Sequence, residues 1–202
     1  TEALALLRSK QVDGIILCFV NEDERIFQHL KRISHDLPII NIGWDMKEIE
    51  MDSILVDVYQ GTYEATSYMI DQEFDNLAYI AGPEKTVFAE EKYQGYLKAM
   101  QDNGKVVEPQ IITRGSHTLA TGYHGTRKIM HSVTKKSRTG IITANDLIAI
   151  GCLKYLLQNQ YSIPQEVAVM GFDNISLSFM YQPALSTMSI PIERIGHKSV
   201  DL

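Results

Sequence analysis

The chain reads as an α/β protein built on doubly wound, mostly parallel sheets, and three features lead to that class. Short apolar runs of strand length recur along it, among them Ile15-Ile16-Leu17-Cys18 and Val167-Ala168-Val169-Met170. Segments of helical length separate these runs, which is the long crossover that parallel pairing requires. The runs are continuous rather than alternating, the pattern of strands covered on both faces.

Taken in order, Leu4, Leu7 and Val12 carry the end of an amphipathic helix, and Asp13-Gly14 turns into a strand over Ile15 to Cys18. The polar and acidic stretch from Asn21 to Glu24 caps a helix running through Ser34. Pro38 leads into a strand over Ile39 to Ile42, and the alternation continues with a strand at Ile54 to Val56 and a helix from Gly61 to Asp71. Leu77 to Ile80 reads as a strand, and Val87 to Asp102 as a helix closed by Asn103-Gly104. Gln110 to Thr113, Gly140 to Thr143 and Val167 to Gly171 complete the strands, with helices over Leu119 to Ser132 and Asn145 to Asn159 between them. The irregular spans Trp44 to Ser53 and Ser189 to Pro191 are the candidate passages between two lobes.

The 202 residues are 45% hydrophobic and 22% charged, enough for one large or two small cores. A net charge of -6 speaks against this segment gripping a phosphate backbone, because that needs clustered Lys and Arg. The one basic knot, Lys135, Lys136 and Arg138, reads as a solvated loop. Cys18 and Cys152 fall in apolar or helical surroundings and read as buried thiols of a reducing compartment. No apolar run approaches the ~20 residues of a membrane span. The chain opens without methionine, in mid-helix, and reads as an excerpt from a longer protein, expected in the cytoplasm.

Catalytic motifs are missing. There is no G-x-G-x-x-G after a strand, no G-x-x-x-x-G-K-S/T and no G-x-S-x-G, so no enzyme activity and no cofactor is expected. His117, His124 and His131 recur every seven residues, which on a helix sets neighbours ~10.5 Å apart, too far to share an ion. No metal site is expected. Asn145-Asp146 follows a strand and opens a helix, so Asn145 suits both an N-cap and a ligand contact. Asp173 ends an apolar strand through Gly171-Phe172, and a strand cannot bury that charge cheaply without a partner. It therefore belongs at the carboxyl edge of the sheet, where open α/β proteins bind small polar ligands.

A set of short motifs in fixed order carries a resemblance: Val12-Asp13-Gly14-Ile15-Ile16, Pro38-Ile39-Ile40, Val56-Asp57 with Gly61, Ala81-Gly82-Pro83, Gly95-Tyr96 with Ala99, Ala144-Asn145-Asp146 with Ala149 and Gly151, Gly171-Phe172-Asp173, Pro183 to Thr187, and Ile195-Gly196. With these the chain resembles the effector-binding domain of the lactose-repressor (galactose-repressor) family of bacterial transcription regulators. The resemblance implies a two-lobed, periplasmic-binding-protein-like (type I) fold with an incomplete first lobe, residues 1–43 and 192–202, and a second lobe, residues 44–191. It also implies a helix-turn-helix DNA-binding domain outside this chain, a homodimer, and a small effector between the lobes that shifts the population of DNA-binding states.

By the same resemblance Asp173 and Asn145 hydrogen-bond effector hydroxyls, an ionised carboxylate making the stronger, charge-assisted bond. Lys92 takes the place of an effector-clamping arginine, and Thr86 and Phe88 fill the two preceding pocket positions. A point charge in place of a planar fork suits a sugar hydroxyl better than a purine or carboxylate. His117 stands where an aromatic ring covers the ligand, Gly43 at a commonly acidic position, and Phe19 and Ile192 offer apolar surface. From the residues alone, His117 also reads as a polar loop residue and Phe19 as core packing. The expected function is sugar sensing by a transcription regulator, with an extracytoplasmic sugar-binding protein of a transporter as the alternative; an enzyme using Asp173 and His117 as an acid/base pair would need the base ~2.6 to 3.2 Å from its proton donor, or one water away.

Overall fold

The computed structural model describes residues 12–18, 24–43, 45, 46, 48–134 and 136–202. In chain order its elements are β1 (Ile15–Cys18), α1 (Glu24–Ile33), β2 (Ile39–Gly43), β3 (Asp52–Leu55), α2 (Val58–Asp71), β4 (Asn76–Ala81), α3 (Val87–Asp102), β5 (Ile112–Arg114), α4 (Leu119–Ser132), β6 (Thr139–Thr143), α5 (Asp146–Gln158), β7 (Val167–Asp173), α6 (Ser176–Met180), β8 (Ser186–Ser189) and α7 (Ile192–Asp201). They fall into two compact units, Thr1–Val56 with Pro191–Leu202, and Asp57–Ile190.

The first unit holds a parallel sheet in the order β1-β2-β3, with Ile15 beside Ile39 and Ile42 beside Ile54. Ile15 and Ile39 point into a cluster with Leu30, Ile33, Met46 and Ile49. Helix α7 lies against β2 and β3. Alternation along β1 leaves Ile16 47% exposed and Cys18 exposed, so the burial expected for that thiol is corrected. A period of two sends residues 15 and 17 to the packed face and 16 and 18 to the other. Cys152 is fully buried, which pushes its thiol up to about 12.

The second unit is a five-stranded, all-parallel sheet in the order β5-β4-β6-β7-β8. Its central strands are buried on both sides, and alternation divides their side chains between two cores. Ala78, Ile80, Ile141, Val167 and Val169 face α4 and α5 through Ile129, Ile148 and Leu153. Leu77, Tyr79, Ile142, Ala168 and Met170 face α2 and α3 through Ala65, Met69, Tyr96 and Met100. Full burial of each large apolar side chain stabilises by roughly 1.5–3 kcal/mol. The continuous apolar runs follow from this two-sided burial.

Helices α4 and α5 meet backbone to backbone. A Cβ at Gly122 would collide with the carbonyl oxygen of Ile148, and one at Gly151 with that of Leu119. Gly122→Ala should therefore force the pair apart and cost about 2 kcal/mol, read as a lower midpoint in denaturant at unchanged slope.

Several boundaries differ from the sequence reading. Pro109–Ile111 forms a 3-10 turn, and β5 starts only at Ile112; Pro109 has no N–H to give a ladder. The third strand starts earlier, at Asp52, and Val56 N–H donates to the Gly43 carbonyl just past its end. Arg138 is not a freely solvated cation: its Nε donates to the Gln165 carbonyl at 3.2 Å and its guanidinium lies 4.7 Å from the Phe74 ring centre. Lys135 lies outside the described residues.

Candidate functional site

The strand ends of the second unit bring polar groups together at one edge of the sheet. β7 runs through Gly171-Phe172 to Asp173, which pairs in register with Ser189 of β8. Asp173 has φ 110° and Asn174 φ 58°, and consecutive non-glycine residues at positive φ persist only where the surroundings impose them. The imposing group is Asp146, whose side chain is fully buried at the start of α5. Its carboxylate accepts from Ile175 N–H at 2.8 Å and from the Thr187 hydroxyl at 2.5 Å. Burial pushes the Asp146 carboxyl above its usual range, opposed by Thr187 and by the backbone donors of Ile175 and Asn174. Gly171 is required beneath it, because a Cβ there would strike the Asp146 carboxylate.

Lys92, on the second turn of α3, is only 7% exposed. Its ammonium donates to the Ala144 carbonyl at 2.8 Å, sits 3.8 Å over the centre of the Phe172 ring, and lies 3.5 Å from Asp173 Oδ1. Burial lowers the Lys92 pKa, and Asp173 opposes that. Burial in turn raises the Asp173 pKa, with the Lys92 charge opposing. The Asp173 side chain keeps 30% of its surface exposed, so the carboxylate is part neutralised from below and open above. Asp173 thus has a partner that the sequence reading did not assign to it, and the ammonium of Lys92 is engaged within the unit.

Asn145, Thr86, Phe88 and His117 lie just past strands of the same unit. Asn145 caps α5, its Oδ1 accepting from Ile148 N–H at 3.0 Å, which leaves its amide NH2 as the group open to a ligand. Thr86 occupies the N-cap position of α3 without a side-chain cap, its hydroxyl donating to the Pro83 carbonyl at 3.2 Å. Phe88 is half-buried in the first turn of that helix. His117 lies over Gly82, where a Cβ would collide with the imidazole. Burial, and secondarily the Lys92 charge, hold the His117 ring below its ordinary pKa. In the first unit, Gly43 ends β2 at φ 147° and Ile192 opens α7 with 66% of its surface exposed. Phe19 lies outside the described residues.

Two residues of this edge were not singled out in the sequence. Phe172, read only as a strand residue, gives Lys92 its aromatic floor, and Asp146, read as a helix opener, braces the Asp173 turn. The doublets Asn145-Asp146 and Phe172-Asp173 were the available signal, each setting a polar group just past a buried strand.

A parallel α/β unit with carboxylate, amide, hydroxyl and imidazole groups collected at its strand ends is the architecture of a small-molecule-binding domain. The model of the periplasmic binding protein-like domain family matches residues 66–202, and the chain belongs to that family, among the effector-binding domains of LacI-family regulators. It is 30% identical over 199 residues to the HTH-type transcriptional repressor PurR of Histophilus somni, covering 98% of this chain and 59% of that protein. The chain thus spans about three fifths of the length of the curated relative. Among solved structures it is similar to a regulatory protein of the LacI family from Chloroflexus aggregans, with TM-score 0.88 and 28% identity over 100% of this chain and 71% of that one. The transcriptional regulator CelR in its cellobiose complex shares the fold, with TM-score 0.83 and 24% identity over 98% of this chain and 60% of that one.

Proposed function

We propose that this chain is the effector-sensing part of a sugar-responsive transcription regulator, a repressor that acts in the cytoplasm and is not an enzyme. The observation that carries the reading is Asp173, an acceptor held in a strained conformation, part neutralised by Lys92 and 30% exposed. A carboxylate in that state accepts hydroxyl protons without needing a cationic ligand. Asn145 adds amide donors, and His117, Thr86 and Phe88 are the further contacts proposed from the same unit. Gly43, Ile192 and Phe19 are the further contributions proposed. The solved relative CelR was captured with cellobiose, which supports a sugar as the effector class. A monovalent ammonium at Lys92, already occupied, gives little purchase to a purine or carboxylate.

Signalling then runs by population shift: effector favours one lobe arrangement and alters how a homodimer presents DNA-binding domains to operator DNA. A coupling of roughly 1 to 3 kcal/mol is typical of linked sites. A twofold protein suits palindromic half-sites, and α6 offers apolar surface for self-association, with Leu177 51%, Phe179 65% and Met180 64% exposed. Among the described residues no helix is long and apolar enough to cross a membrane.

A thermal-shift panel of neutral mono- and disaccharides, sugar phosphates and nucleobases tests the effector class. A ligand at 100 times its Kd adds ~2.7 kcal/mol, and a neutral sugar should give the largest shift at the Asp173 edge. A response confined to nucleobases overturns the sugar reading.

A further inference from the structure

Away from that edge, β5 and α4 form a second polar feature that effector binding leaves unused. β5 is the border strand of its sheet, and beside it lies a cavity of about 580 Å³ lined by Thr113, Arg114, Thr121, His124, Gly125 and Lys128 among others. A further cavity of about 500 Å³ continues along α4, lined by His124, Arg127, Lys128, His131 and Ser132. His124, Arg127, Lys128 and His131 have the spacing i, i+3, i+4, i+7 of one helix face. All four are exposed.

The chemistry of this face is one-sided. Among the described residues no Asp or Glu lines either cavity, although the chain as a whole carries a net charge of -6. The nearest carboxylate partner is that of Glu90, 3.5 Å from Arg114, whose guanidinium is also held 4.9 Å over the Tyr93 ring centre. Arg114 is therefore ordered before any ligand arrives. His131 Nδ1 donates to the Arg127 carbonyl at 2.6 Å, which fixes that ring as well. The Thr113 hydroxyl is buried beside the first cavity with no hydrogen-bond partner, and a buried hydroxyl without a partner is costly. Gly125 keeps the helix close there, since a Cβ would approach Thr113 Oγ1 to 2.7 Å.

We propose that this face is an oxyanion site that takes a phosphate group, free or esterified to a small molecule, with Arg127 and Lys128 as its main cationic contacts and Arg114 and His124 closing it. Two neighbouring cations beside an imidazole on a concave surface match a dianionic phosphate, whereas a flat basic stripe would match a nucleic-acid backbone. The site shares no residue with the effector edge and stands whether or not the effector is a sugar.

Calorimetric titration of the protein with inorganic phosphate and with glucose 6-phosphate, against sodium chloride of equal ionic strength and against glucose, is the test. Saturable binding of either phosphate is expected, weakened at least tenfold in Lys128→Gln and in the double variant Arg127→Gln/Lys128→Gln. The tighter of the two identifies the source as free or esterified phosphate. All the substituted basic side chains are exposed, so the variants should melt like the parent. The proposal is overturned by heats no larger than the chloride control, by phosphate binding indifferent to both basic variants, or by binding of duplex DNA through these residues in place of phosphate.

Discussion

Asp146→Ala should lower the unfolding free energy by about 3 kcal/mol, because it strands buried donors that each cost about 1–3 kcal/mol when left without an acceptor. Those donors are Ile175 N–H and the Thr187 hydroxyl, and their loss frees the turn that holds Asp173 at φ 110°. Asp146→Asn keeps an acceptor oxygen and removes a charge that burial disfavours, so it should cost no more than about 1 kcal/mol. Equilibrium urea unfolding of the two variants checks the pair. An alanine variant within ~0.5 kcal/mol of the parent, the range of ordinary surface changes, would remove the bracing role. Because the brace lies beneath the effector edge, the asparagine variant should also retain effector binding.

Asp173→Ala is expected to weaken binding of the proposed sugar effector ten- to hundredfold, the loss of one hydrogen bond to a charged group at about 1.5–3 kcal/mol. The same change leaves the Lys92 ammonium buried with only the Ala144 carbonyl and the Phe172 ring. Lys92→Met, by contrast, removes a charge whose burial is unfavourable and leaves a carboxylate that water can still reach, so its stability cost should be the smaller of the two. The pH dependence has a definite sign. Asp173 titrates above its ordinary 3.8 because burial disfavours the ionised form, and in the proposed site it is the ionised form that would accept from effector hydroxyls. Affinity should therefore fall as pH drops through that raised value. The group's own contribution to the stability of the free protein runs the other way, full at low pH and lost as pH rises through the folded pKa. Titrating effector across mildly acidic pH, with parent and Asp173→Asn in parallel, separates the two: the variant should lose the pH dependence, and a persistent one would assign it to another group.

The central fold was legible because two-sided burial leaves a plain mark, an apolar run bounded by turns. The stretch after β7 was not. Ser186-Thr187-Met188-Ser189 forms β8 without any apolar run, since a border strand pairs on one side only and needs no continuous burial. α6 is five residues long and α7 is largely polar, and prolines at 183 and 191 punctuate both stretches as loops. The strand ends of the candidate site were legible from Asn145 and Asp173. Their internal partners were not, because Lys92 and Asp173 lie 81 residues apart and no local pattern records a contact between distant helices and strands.

The division of the chain at 56/57 and 190/191 has a temporal side. Residues 57–190 are contiguous, so on the ribosome that body can collapse as soon as β8 has emerged, with no part of it still to be made. The other body is assembled from both flanks, and β2 and β3 must wait with one face uncovered until α7 is synthesised. A nascent chain ending at Ile190 and extended by a flexible linker long enough to clear the exit tunnel should accordingly be protease-resistant over residues 57–190 and cleavable over the stretch before it.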